Sequence, residues 1–191
     1  MTSQRTNESV PMFQIEVQND LEFVVNDAQL IHAAKTVLDM HEVEDEAAMT
    51  IVITDDAAIT ALNVQFRGVD SPTDVLSFPM DESPFPDEPP YLGDLVIAYP
   101  YALAQAEREG YAMSDGLMLL VVHGTLHLLG YDHGDAEQRA EMWAAQDEAL
   151  ASLNVPLSIV PRLEEDGLSP DSLSSDKGND PDDALEPADD E

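Results

Sequence analysis

The chain has 191 residues, enough for one domain with its own core, and no cysteine, which excludes a disulfide framework and a thiolate metal site. Seven basic residues face forty acidic ones, for a formal net charge of −33. Such a charge repels polyanions at long range and by itself argues against nucleic acid as a partner.

Residues 163–191 explain only part of the imbalance: twelve acids against Lys177 leave −22 on residues 1–162. Residues 1–14 hold one arginine and no apolar run, so no signal peptide is expected there. No apolar run is long enough to span a bilayer, and the expectation is a cytoplasmic protein.

In chain order, residues 1–11 read as a disordered lead. Phe13-Gln14-Ile15-Glu16-Val17 alternates apolar and polar, as a half-buried strand does. From Asp27 to about Met40, the positions Leu30, Ile31, Ala34, Val37 and Leu38 repeat at helical spacing. Met49 to Ile53 is a short β-branched strand, and Thr54-Asp55-Asp56 then caps a helix through about Phe66. Asp74 to Phe78 is a strand closed by Pro79, and the stretch from Asp81 to Tyr91, with its prolines and acids, is a loop. Gly93 to Ala98 resumes as a strand, and a helix from about Pro100 to Gly110 carries proline in its first turn. Ser114-Asp115 is expected to cap a helix running to Leu129, and Asp135 to open a last helix ending near Leu153. From Arg162 onward Ser, Asp, Pro and Gly dominate, too polar a mixture to fold. The expected organisation is therefore a lead (1–11), one α+β domain (12–158) with a small sheet packed by helices, and a disordered acidic tail (162–191).

The chemistry concentrates in His123-Gly124-Thr125-Leu126-His127-Leu128-Leu129-Gly130-Tyr131-Asp132-His133, which holds three of the five histidines. His123 and His127 lie one helical turn apart on one face. A left-handed Gly130 would end the helix and turn His133 back toward them. Three neutral imidazoles leave one tetrahedral position open on zinc, the pattern of a catalytic site. Spacing alone leaves nickel and copper open as well. The segment from Gly116 to Val122 is apolar on every side, so the helix should be buried, and buried imidazoles are costly unless something binds them.

The spacing also fits the long zinc motif of metzincin proteases, but the glutamate base expected after the first histidine is here Gly124. Asp132 is placed either to fix the tautomer of a ligand histidine or to cap the turn after Gly130. Asp74 is a strand-end turn residue or a partner for Arg67. Arg67 is the only basic residue between Lys35 and Arg108. It is either an ordinary surface arginine or, in so acidic a chain, the point where a phosphate can be gripped by a planar fork.

The histidine motif, together with Leu62-Asn63, Phe66-Arg67, Thr73-Asp74-Val75-Leu76-Ser77-Phe78-Pro79 and Gly93-Asp94, resembles the signature of the YbeY family of bacterial endoribonucleases over about residues 13–155. The resemblance implies a central mixed sheet packed by helices, with a metal site in a cleft at the end of a buried helix. It implies a metal-dependent, single-strand-directed RNase of ribosomal RNA, acting at the 3′ end of the small-subunit RNA and in ribosome quality control. His123, His127 and His133 would then hold one zinc, with Arg67 and His123 in catalytic roles and Asp132 behind the ligands. The partners implied are ribosomal RNA and the ribosome or its proteins. Two other readings stay open, a ribosome-assembly protein whose zinc is not catalytic and a metallohydrolase acting on peptides.

Acids spread over the whole body also imply self-repulsion that salt should screen. The melting temperature is expected to rise with molar potassium chloride; a flat or falling response would show that the acidic surface is not a stability burden.

Overall fold

The computed structural model describes residues 13–43, 46–80 and 90–162. The expected lead, most of the Pro-rich loop and the tail beyond Arg162 lie outside those residues. The elements are β1 (Gln14–Gln18), α1 (Asp27–Met40), β2 (Ala48–Thr54), α2 (Asp56–Arg67), β3 (Val75–Pro79), β4 (Tyr91–Ala98), α3 (Tyr99–Glu109), α4 (Met113–Leu128) and α5 (Ala136–Ser152), followed by a 3-10 turn at Leu157–Arg162. The four strands form one sheet in the order β1-β2-β4-β3, with β3 antiparallel to β4 and the other pairs parallel. This is the mixed α+β architecture expected from the sequence.

Alternation along the strands divides the core in two. Met49, Ile51 and Ile53 of β2, with Leu95 and Ile97 of β4, are buried in one cluster with side chains of α1, α4 and α5. On the other face Leu76, Val96 and Ala98 pack with Ile59 of α2. The sheet thus lies between a thick helical layer and a single helix.

α4 is the central element of the thick layer. Twelve of its sixteen residues are buried, so it is apolar all round rather than amphipathic. That explains one departure from expectation. Ser114 and Asp115 do not cap it; Ala112 stands at the N-cap with no side-chain hydrogen bond. A helix enclosed by packing does not depend on its cap. The exposed ends behave as expected: Asp55 accepts from the Ala58 N–H, and Asp135 accepts from those of Glu137 and Gln138.

Two further departures concern pairing and the C-terminal side. β4 begins at Tyr91 because that residue aligns with Ala48 across an irregularity in the ladder, an extension that prolines upstream disguise. The 3-10 turn, not expected from the sequence, buries Ile159 in the main core.

Gly93 holds the antiparallel edge together. Its φ is +130°, and a side chain there would land inside the Phe78 carbonyl oxygen across the ladder. Gly93→Ala combines backbone strain with a clash against main chain, so it is expected to cost more than about 2 kcal/mol. Urea unfolding checks this, and an unchanged midpoint would mean that β3 is free to shift.

Candidate metal centre

The end of α4 builds the site. Gly130 is left-handed, with φ at +88°. The Gly130 N–H donates to the His127 carbonyl and the Tyr131 N–H to that of Leu126, a paired closure that reverses the chain. The reversal returns His133 to the other two histidines. One ring nitrogen from each of His123, His127 and His133 lies within 4.8 Å of the others, so the three can hold a metal ion.

The protons on these rings are pinned. His127 Nδ1 lies 2.9 Å from the Tyr131 carbonyl, which can only accept, so Nδ1 carries the hydrogen and Nε2 is bare. His123 Nδ1 lies 3.0 Å from Gln146 Oε1, which leaves its Nε2 bare in the same way. The two bare Nε2 atoms face each other at 3.1 Å with no proton between them. His133 Nε2 is buried and has no hydrogen-bond partner among the described residues. Lone pairs converging without donors are unfavourable unless a cation sits among them. This donor set fits a metal.

Electrostatics point the same way. Burial, reinforced by the charges on His127 and His133 and opposed by the Gln146 hydrogen bond, pushes His123 down to about 3. Burial and then His133 lower His127 too, against the Tyr131 carbonyl and the Asp132 charge, which raise it. Both rings are therefore neutral, the form a metal needs.

The histidines open into a cleft of about 320 Å³ whose wall includes Arg67, Val75, Ser77, Pro79 and Asp132. Arg67 is exposed at the end of α2 and forms no hydrogen bond or ion pair among the described residues. Nearby, Asn63 is buried and donates to the Ser71 carbonyl at 2.8 Å, tying α2 to the turn that leads into β3.

Asp74 forms no salt bridge with Arg67 among the described residues, although the Arg67 charge acts on it and lowers its pKa slightly against burial. It is buried and accepts from the Val75 N–H and the Thr73 hydroxyl, and burial raises its pKa. Asp132 uses Oδ1 for the His133 backbone N–H at 2.7 Å. The second ring nitrogens of His123 and His127 go instead to Gln146 and to the Tyr131 carbonyl, because α5 and the chain reversal deliver those acceptors directly. Gln146 has one signal in the sequence: it interrupts the buried stripe Met142, Ala149 and Leu150 of α5 with a polar group. Met142 is fully buried core. No helix among the described residues is long and apolar enough to cross a membrane.

The chain matches the family model described as endoribonuclease YbeY over residues 14–154. It is 40% identical over 144 residues to the endoribonuclease YbeY of Mycolicibacterium paratuberculosis, a match covering 71% of this chain and 81% of that relative. It is 39% identical over 143 residues to that of Mycobacterium leprae, covering 71% and 80%. The solution structure of TM1509 from Thermotoga maritima shares the fold, with a TM-score of 0.51 at 24% identity, covering 83% of this chain and 99% of that one.

The lowered histidines have a consequence for stability. Below pH 6.5 the unfolded chain binds protons at these positions that the folded chain refuses, so folding weakens as pH falls from 6.5 toward 3. His123 alone contributes a slope of up to about 1.4 kcal/mol per pH unit. Urea unfolding of the metal-free chain between pH 7 and pH 5 is expected to show a shallower decline for His123→Asn than for wild type. Parallel declines would mean that the ring protonates without penalty in the fold.

Proposed function

Because the chain belongs to the endoribonuclease YbeY family, we propose that it is a zinc-dependent endoribonuclease directed at single-stranded RNA. Its setting in this reading is ribosomal RNA processing in the cytoplasm, at the 3′ end of the small-subunit RNA and in ribosome quality control. One observation carries the proposal: three histidine rings, two of them with their protons held elsewhere, share a single cleft with a guanidinium that forms no hydrogen bond or ion pair among the described residues.

His123, His127 and His133 would hold the zinc, with one position open. When bound, zinc supplies Lewis acidity to a phosphoryl oxygen and brings a water toward a pKa near ~7. The protein's own residues do the positioning. Gln146 and the Tyr131 carbonyl hold the rings of His123 and His127 in one tautomer, which fixes their lone pairs toward the cleft. Asp132 accepts from the His133 N–H and so shapes the backbone just before that ligand. Arg67 grips the scissile phosphate with two parallel N–H groups and offsets the charge that grows on it in the transition state. In a chain of this acidity, the cleft is where a phosphate meets positive charge.

A further detail favours nuclease over protease chemistry. Gly124, at the position of the protease glutamate, faces the sheet: a Cβ there would come within 2.7 Å of Leu95 and 3.3 Å of the Ser77 hydroxyl. A side chain there, a carboxylate base included, would require the buried Leu95 to repack. The acidic surface also suits contact with basic ribosomal proteins. The same surface supports the alternative of an assembly protein whose zinc takes no part in chemistry.

A paired assay separates these readings. Wild type, His123→Ala and Arg67→Ala, purified identically, are compared on a small-subunit rRNA 3′ fragment with zinc. Cleavage is expected in wild type and about a hundredfold or more lower in both variants. Equal cleavage in all three would assign the activity to contamination and favour the assembly role. Product ends identify the nucleophile, since a 2′,3′-cyclic phosphate requires attack by the RNA's own 2′-OH.

A further inference from the structure

We propose that Phe66, backed by Phe78, is a stacking platform for an unpaired base of the RNA, next to the phosphate held by Arg67. The proposal rests on the nuclease reading and gives its preference for single strands a physical source.

Phe66 is 59% exposed and is the one aromatic among the exposed large apolar side chains of the described residues. Its ring meets that of Phe78 edge to face, with centroids 5.0 Å apart and planes at 65°. Phe78 in turn packs against the cluster of Ile59, Leu76, Val96 and Ala98. One side of the Phe66 ring is therefore braced by the core and the rest is open. An aromatic ring has few torsions to freeze, so an exposed one braced on one side offers a binding surface at little cost in side-chain entropy.

Its position ties it to the cleft. Phe66 precedes Arg67, and Phe78 precedes Pro79; Arg67 and Pro79 both line the cleft. β3 is an edge strand of the sheet. Its side chains alternate, so Ser77 and Pro79 face the histidines while Leu76 and Phe78 face α2. The platform and the cleft thus lie on opposite sides of one strand edge, and Arg67 reaches from the helix on the platform side to the cleft. A nucleotide lying over that edge places its phosphate on Arg67 and its base on Phe66.

Charge makes such a contact necessary. With −22 on residues 1–162, this protein cannot draw its RNA affinity from many phosphate contacts. Stacking is uncharged and tolerates any base, because every base has a π-face. In a duplex those faces are already covered, so the platform selects unpaired RNA.

The test uses the full-length zinc-loaded chain on a short single-stranded RNA and on versions of it made abasic at one position each. Phe66→Ala is expected to raise KM between about fivefold and a hundredfold with kcat nearly unchanged, and Phe66→Trp to keep wild-type values. One abasic position should cost wild type the same factor while costing Phe66→Ala nothing further. A loss of thermal stability alone cannot produce that non-additivity. If the two losses multiply, or if Phe66→Ala matches wild type on every substrate, the platform is overturned while the nuclease reading stands. If Phe66→Ala instead converts a dimer to a monomer with cleavage unchanged, the ring belongs to a contact between copies and the platform is likewise overturned. Absence of His123-dependent cleavage in wild type would overturn both.

Discussion

The structure depends on a helix that is buried on every side and still carries two imidazoles. The burial that makes α4 the centre of the core also strips His123 of water and holds it neutral. A neutral ring has one proton to place, and the surrounding elements decide where. Gln146 from α5 takes that of His123, and the chain reversal after Leu129 takes that of His127. Remove either acceptor and the tautomer of its ring is no longer fixed. Core packing and site chemistry are in this sense one arrangement: the side chains that fill the interior also select the tautomers.

Much of this was legible in the chain itself. The alternation of β1, the periodicity of α1 and the capping aspartates of α2 and α5 are local signals, and each element forms where its signal lies. Expectation failed where local chemistry is not what decides. Ser114-Asp115 is a good cap sequence, but packing sets the start of α4. The start of β4 depends on a partner strand more than forty residues earlier. The histidine triplet could be read from spacing because one turn of helix and one left-handed glycine fix its geometry. Gln146 could not be read so, since its contact with His123 spans 23 residues and exists only once α5 has packed on α4.

Arg67 and Asp132 show the same division at the level of single residues. The scarcity of basic groups singled out Arg67, but only the fold brings the end of α2 around the edge of β3 into the cleft. For Asp132 the sequence offered two roles, and the structure gives Oδ1 to the His133 main chain. A short acid side chain two residues past a left-handed glycine finds the neighbouring backbone before it finds a ring.

Gly124 carries an implication for how this scaffold can change over evolutionary time. Its helix lies so close to Leu95 and Ser77 that any side chain beside the ligand histidine must displace their side-chain ends. In a peptidase with the same ligand spacing, that position supplies the base. A single codon change cannot therefore carry one chemistry into the other here. The fully buried Leu95 would first have to repack, at a cost to the core between helix and sheet. The two activities, close in motif, are separated by a barrier of foldability, and the ligand spacing they share is a poor guide to which reactions such a scaffold can reach.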